Sequence, residues 1–368
     1  MYLRHFSLVN FKNHRELRIE LSPQINIFTG NNGTGKTNLL DAVYYLCFCR
    51  SFLNPVDRQL VNQGEKFFVL NGDFEREGQR FEIHCAYQPE QRKKFKKNQK
   101  EYERLSDHIG EFPAVVISPY DTDLIVEGSD TRRKFLDTII CQYDRPFLEK
   151  LIRYNKILQQ RNALLKKFRD ERFFERESLE IWDLQLIEFG NYIHQKRDAF
   201  VREFIPVFQQ YYERVSNGNE NIDVLYESQL NGADFSALLA NANRKDSYAG
   251  YSTVGIHKDD LIFSIDQRPV KKFGSQGQQK SFLIGLRLAQ FDLIAKKLGR
   301  LPILLLDDIF DKLDQERVEQ IMKLLSGGTF GQVLITDTDA DRVEKVFREI
   351  DIPRRHVNLN ELNEVKTT

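Results

Sequence analysis

The stretch that decides the fold is "TGNNGTGKTNLL", residues 29–40, in which Gly30-Asn31-Asn32-Gly33-Thr34-Gly35-Lys36-Thr37 matches G-x-x-x-x-G-K-[ST]. The apolar run "INIF" precedes it, and "TNLLDAVYYL" follows with a spacing that predicts a helix from Thr37 to about Cys47. Strand, glycine-rich turn and helix, in that order, form the setting in which such an octet cradles phosphates. Its N–H groups turn inward, Lys36 reaches the β/γ oxygens, and the Thr37 hydroxyl is placed for Mg²⁺. A glycine-rich turn with no ligand is the plain alternative.

Far along the chain, "ILLLDDIFDKLD", residues 303–314, supplies what such a cradle needs. Four apolar residues carry Asp307 to the end of a strand, where its carboxylate can hold Mg²⁺ directly or through water. Asp308 follows at the position of an acid that polarises the attacking water. Lys36, Asp307 and Asp308 are therefore the candidate catalytic residues, with Thr37 and Asp307 as metal ligands. A loop of carboxylates capping a helix is the competing reading.

A second anion-binding candidate is "KKFGSQGQQKS", residues 271–281. The apolar residues Phe282, Leu286, Ala289 and Leu293, closed by Lys296, Lys297 and Gly299, predict a helix beginning there. N–H groups at its start, with Ser275 and Gly277 permitting close approach, suit an anion. Ser275-Gln276-Gly277-Gln278 resembles the signature motif of ATP-binding-cassette proteins. That resemblance implies that Ser275, Gly277 and Gln278 meet the γ-phosphate held by a second subunit, so that ATP joins two copies. It also places Asp314 in the connecting loop. A helix cap without a ligand is the simpler possibility.

Composition bounds the rest. The chain has 368 residues, 41% hydrophobic and 29% charged, with formal net charge zero. This is a globular profile, and any nucleic-acid contact must come from local patches. No run approaches the roughly 18 apolar residues of a membrane span, and the first residues form no signal peptide, so a cytoplasmic protein without membrane association is expected. Cys47, Cys49, Cys85 and Cys141 have no metal-ligand spacing and are expected to be reduced and mostly buried.

Three blocks separate by pattern. Residues 1–121 hold short alternating segments and one helix, 122–250 carry helical periodicity, and 251–368 alternate strand and helix, with "ILLL" and "QVLIT" suited to parallel strands covered on both faces. The expected fold is α/β: an ABC-ATPase-like P-loop domain with a strand-rich N-terminal lobe, interrupted by a helical insertion domain. The basic run Arg92-Lys93-Lys94-Phe95-Lys96-Lys97 with Lys100 is a candidate DNA patch or a solvated hairpin tip. Arg132, Arg133 and Lys134 form a second patch, or bridge to Asp130 and Asp137.

"LVNFKNHRELRIEL", "INIFTGNNGTGKTNLLDAVYYL", "CRSF", "VVISPYDTDLIVEGSDTRRKFLD", "GIHKDDLIFSID", "FGSQGQQKS" and "LLLDDIFDKLD" resemble, in order and spacing, the bacterial RecF family of DNA replication and repair proteins. Ile256, Lys258, Lys312 and Asp41 depart from the usual Pro, Arg, Glu and Glu, and a lysine at 258 lacks the bidentate fork of arginine. The resemblance implies an ATP-dependent homodimer that binds duplex DNA near single-strand gaps and assists recombinase loading through recombination mediator proteins. It implies slow hydrolysis acting as a timer, and it places Asn13 near the adenine base. A transporter ATPase would share the three motifs, but the switch histidine after the last apolar strand is replaced by Thr336 and Asp337 in "LITDTDAD". A chromosome-structuring or Rad50-like ATPase would need a far longer insertion, and a fused nuclease more than the 30 or so residues that follow "LITDT".

Overall fold

Alternating apolar residues build the first strands, and the alternation fails where the backbone does. Leu3 and Phe6 are three apart yet both buried, because β1 (Tyr2–Phe11) shifts register against β4 (Phe68–Arg76) between Leu3 and His5. Such a bulge restores the apolar face to the core. The computed structural model describes residues 1–216, 218, 220–310, 315–327, 329–340, 343, 345 and 353–364. Asp314 and Lys312 lie outside the described residues.

Between those strands come β2 (His14–Glu20), β3 (Ile25–Thr29) and α1 (Lys36–Phe48). Next are β5 (Gln79–Tyr87), β6 (Lys94–Lys97), β7 (Lys100–Glu101) and β8 (Ala114–Ile117). The helices α2 (Asp123–Val126), α3 (Ser129–Cys141), α4 (Arg145–Glu171) and α5 (Glu177–Ser216) lead to β9 (Ile222–Glu227) and α6 (Phe235–Ala249). Then follow β10 (Asp260–Ile265), β11 (Arg268–Pro269), α7 (Val270–Phe273) and α8 (Gln276–Leu298). The chain continues with β12 (Ile303–Asp307), α9 (Gln315–Ser326), β13 (Val333–Asp337), β14 (Arg354–Asn358) and a short helix, Leu359–Glu364.

Two compact units result. The first comprises residues 1–121, 211–217 and 280–368, and contains an antiparallel sheet ordered β2-β1-β4-β5-β6-β7 and a parallel sheet ordered β14-β3-β13-β12-β8. Every residue of β3, β8, β12 and β13 is buried, as expected of strands covered on both faces. Helix α1 packs on β12 and β13 of one sheet and on β1, β4 and β5 of the other. Being enclosed on both sides, it is apolar nearly all round, with Leu39, Leu40, Val43, Tyr45 and Leu46 fully buried. The parallel register sets Asp307 beside Thr336, and Asp337 beside Thr29. The carboxyl ends of β3, β12 and β13 thus share one edge, where open α/β sheets take their ligands.

The second unit comprises residues 122–210 and 218–279. It holds α3, α4 and α6 together with a small antiparallel sheet, β11-β10-β9. The unit extends to Gln279 rather than stopping near 250, because β9 pairs along its length with β10, tying 222–227 to 260–265. Two buried arginines join its parts. Arg197 makes a bidentate pair with Asp137 at 2.9 and 2.8 Å and reaches Asp259 at 2.8 Å. Arg161 bonds Asp183 at 2.6 Å and Asp246 at 2.7 Å. Among the described residues, no helix is long and apolar enough to cross a membrane, and all four cysteines are free and buried.

Candidate functional site

The turn between β3 and α1 is built on three glycines in conformations that side chains disfavour: Gly30 has φ 149°, Gly33 85° and Gly35 97°. At Gly35 the exclusion is also steric, since a Cβ would lie 2.3 Å from His14 Nε2 and 2.6 Å from Asn13 Nδ2. The β1–β2 turn therefore seats directly on the loop. Asn13 Nδ2 donates to the Gly33 carbonyl at 3.2 Å, Asn38 Nδ2 donates to Asn13 Oδ1 at 2.8 Å, and His14 Nε2 lies 3.0 Å from the Gly35 carbonyl. From the other side, Asn360 Oδ1 accepts from the Asn31 N–H at 3.1 Å, and Thr34 Oγ1 donates to the Asn31 carbonyl at 2.9 Å. Asn32, at the tip, is exposed.

Lys36 begins α1 and is buried. Its Nζ donates to the carbonyls of Gly30 at 2.7 Å and Asn31 at 3.0 Å, and it forms no ion pair among the described residues. Burial lowers its pKa, and the charges of Asp308, Asp307 and Asp337 act in the opposite sense. An ammonium held this way is a buried positive charge without a carboxylate of its own, an arrangement suited to an incoming anion.

Asp307 ends β12 and is joined to the loop by Thr37, whose Oγ1 donates to Asp307 Oδ1 at 2.9 Å. Thr336 Oγ1 donates to the same oxygen at 2.8 Å and accepts from the Asp308 N–H at 3.1 Å. Burial raises the Asp307 pKa, opposed by the hydrogen bonds from Thr336 and Thr37. Asp308 is half-buried at φ 50°, a left-handed conformation that aspartate tolerates better than most residues other than glycine. The structure thus brings together Gly30 through Thr37, Asp307 and Asp308.

Mg²⁺ fits this donor set: one hydroxyl and one carboxylate are the few protein oxygens it ordinarily takes beside phosphate and water. Among the described residues, no group of three or more His, Cys, Asp or Glu could hold a metal alone.

Ser275, Gly277 and Gln278 fall in the other unit, at the start of α8. There the Ser275 N–H donates to Gln278 Oε1 at 2.7 Å, and the Gln278 N–H donates to Ser275 Oγ at 3.2 Å, a reciprocal capping box. Gln278 Nε2 also reaches Glu220 Oε1 at 2.6 Å. Ser275 is exposed, and Gly274 is required because a Cβ there would meet the Val270 carbonyl at 2.8 Å.

The basic patches are partly consumed by the fold. Lys93 pairs with Asp57 at 2.7 Å, Lys97 with Glu111 at 2.6 Å, and Arg92 donates to the Glu103 carbonyl at 2.8 Å. Lys94, Lys96 and Lys100 form no ion pair among the described residues. Arg132 is bidentate to Asp260, at 2.7 and 2.8 Å, and Arg133 donates to the Asp259 carbonyl at 2.7 Å. Arg133 and Lys134 also bridge to Asp130, at 3.6 and 2.5 Å, while Asp137 is taken by Arg197. Lys258 is exposed over the Tyr251 ring, and Asp41 is buried against Lys12 at 2.6 Å and Ser51 at 2.7 Å. Sequence reasoning missed His14, Asn360 and the Thr336 bond to Asp307. The threonine after the apolar run of β13 was the one visible signal.

Comparison with known proteins agrees with this geometry. The family described as RecF/RecN/SMC N terminal domain matches residues 2–358. The Smc head domain of Pyrococcus furiosus superposes with a TM-score of 0.55 at 17% identity, covering 100% of this chain and 98% of that one, a likeness of fold. These define the class: a P-loop head of the RecF/RecN/SMC type, α/β with a strand-rich N-terminal sheet and a helical region. The DNA replication and repair protein RecF of Phocaeicola vulgatus is 48% identical over 353 residues, 95% of this chain and 94% of the relative. That of Flavobacterium johnsoniae is 47% identical over 348 residues, 95% and 97%. The recombination mediator protein RecF solved with ATP, of the RecFOR pathway, has a TM-score of 0.85 at 28% identity and covers 92% of this chain and 93% of its own. The chain belongs to the RecF family.

Proposed function

We propose that this protein is an ATP-dependent switch of recombinational DNA repair, closed by the nucleotide and opened slowly by its hydrolysis. The observation that carries the reading is the buried Lys36 ammonium, bonded only to carbonyls of its own loop. The N–H groups of residues 30–37 bind the phosphates, and Lys36 is drawn to the β/γ oxygens. Thr37 and Asp307 would hold Mg²⁺, which would supply positive charge beside the phosphates. Asp308 orients the attacking water and takes up its proton. Ser275, Gly277 and Gln278 of a second copy complete the triphosphate site, so that two chains and two nucleotides close together.

The DNA and mediator functions rest on the RecF relatives, and the same likeness supports a cytoplasmic location. Lys94, Lys96 and Lys100 are the cations left for phosphate contact on the β6–β7 ribbon. Three such contacts give a log–log salt slope of about −3 for duplex binding.

The test is size-exclusion chromatography with and without ATP. The wild type dimerises on ATP, Ser275→Arg stays monomeric while still binding ATP, and Asp308→Asn dimerises but does not turn over. An ATP-induced dimer in Ser275→Arg would remove the shared-site reading. Normal hydrolysis by Asp308→Asn would remove the role given to that acid.

A further inference from the structure

The helical unit contains a cavity of about 800 Å³ between the C-terminal end of α4 and α6. Its walls are largely carbon: the buried Phe168, the exposed Phe173 and Phe174, Ala240 and the ring of Tyr248. Phe168 packs edge-on against both Phe173 and Phe174, with centroids 6.0 and 5.6 Å away. Tyr248 is 74% exposed and Phe173 54%, an unusual outlay of aromatic surface at one place.

The rim is cationic. Arg169, Arg172, Arg176 and Arg244 line the cavity, and no acidic residue does. Arg169 is committed, to Asp170 at 3.0 Å and to the Ala249 carbonyl at 3.2 Å. The side chains of Arg172, Arg176 and Arg244 donate no hydrogen bond to the protein among the described residues. In the second unit's buried networks, by contrast, Arg161 and Arg197 are each bonded to two carboxylates, and of the three cavity arginines only Arg176 is within electrostatic reach of one, Asp183. Arg172 also sits at φ 53° as the C-cap of α4, where its N–H and that of Phe173 close the helix. Glycine holds such a cap without strain, so the arginine occupies a position the backbone would rather give away.

We propose that this cavity is a docking site for a partner protein, received as a short acidic peptide carrying one bulky apolar residue. The apolar side chain enters against Phe168, Phe173 and Tyr248, and the peptide carboxylates pair with Arg172, Arg176 and Arg244. A nucleic-acid strand fits less well. Asp170 and Glu171 at the end of α4 and Glu175 just beyond it interrupt any continuous basic track, whereas a polyanion needs successive phosphate contacts. The cavity volume is that of a pocket for side chains.

The test uses full-length protein and a fluorescein-labelled hexapeptide of four acidic residues followed by Leu-Phe, read by fluorescence anisotropy. A control peptide replaces Leu-Phe with Ala-Ala, and a labelled fifteen-nucleotide oligo-dT serves as the competing ligand. Saturable binding of the hexapeptide is expected. Arg172→Gly, which relieves the cap, and Arg244→Ala should each weaken it about tenfold, as loss of a charge-assisted bond does. Tyr248→Ala should weaken the hexapeptide but not the already weak control. ATP binding, measured on the same variants, stays at the wild-type level and reports that they are folded. No saturation by about 1 mM peptide, or equal binding of all variants, overturns the proposal. So does oligo-dT binding that is lost in Arg172→Gly and Arg244→Ala while peptide binding is absent.

Discussion

Two buried cations, one in each unit, are treated in opposite ways. Arg197 in the helical unit is saturated: Asp137 grips it through two bonds, Asp259 through a third, and the Ile256 carbonyl accepts a fourth at 2.8 Å. Burial works against its charge, but the Asp137 carboxylate and its hydrogen bond, together with Tyr226 and Asp259, outweigh burial and raise its pKa. Lys36 in the P-loop has two carbonyls and no ion pair among the described residues, and burial lowers its pKa. Arg197 is fastened for the fold, whereas Lys36 is bonded only to carbonyls of its own loop, as the proposed phosphate-binding role requires. A buried charge that the protein fully answers serves the fold, and one it answers only with backbone dipoles is a candidate for function.

The largest effect belongs to the saturated side. Arg197→Met strands two carboxylates in the interior and should destabilise the protein by about 3–5 kcal/mol, measured by urea unfolding. A loss below about 1 kcal/mol would mean that Asp137 and Asp259 are rehydrated, and the contrast would blur.

His108 sharpens the comparison with a buried titratable group that the fold satisfies in its neutral form. Its ring contacts the Leu46 carbonyl at 2.6 Å and the Tyr102 hydroxyl at 3.0 Å. Burial pushes its pKa down to about 4, partly opposed by the Leu46 hydrogen bond. The folded value is below the unfolded one, so the unfolded chain binds the extra proton first. The stabilisation is complete above about pH 6.5 and is lost as the pH falls towards about 4. Between pH 7 and pH 5 this is about 2 kcal/mol, and His108→Gln should show that much less acid sensitivity in unfolding experiments.

On the P-loop side, backbone shape rather than charge limits stability. Gly35→Ala forces a Cβ into Asn13 and His14 at positive φ, with an expected loss of about 1–2 kcal/mol and weaker nucleotide binding. Unchanged stability would show that the β1–β2 turn can yield.

The cradle was legible because its chemistry is local. Glycines, lysine and threonine at fixed spacing, and the apolar runs of β12 and β13, declare both conformation and burial within a few residues. The helix at Gln276–Leu298 was legible for the same reason, down to Gly299 at φ 64°. Elements defined by distant partners were not. Strand β9 lies in a stretch read as helix and loop, and only pairing with β10 makes it a strand. His14 and Asn360 reach the loop from 21 and 329 residues away. From sequence, Arg132 reads as part of a surface patch or as paired with the local Asp130 and Asp137, and its carboxylate partner stands 128 residues on. Ion pairs between distant segments have no sequence period, so no pattern could have assigned Arg132 to Asp260.

The central claim, that Lys36 is a cation reserved for phosphate, is tested most directly by Lys36→Met with melting and ATP binding measured on one preparation. The account predicts a melting temperature within about 2 °C of the wild type, because no carboxylate loses a direct ion pair, and ATP affinity weaker by about a hundredfold. Wild-type ATP affinity, or a collapse of stability like that of Arg197→Met, would contradict it.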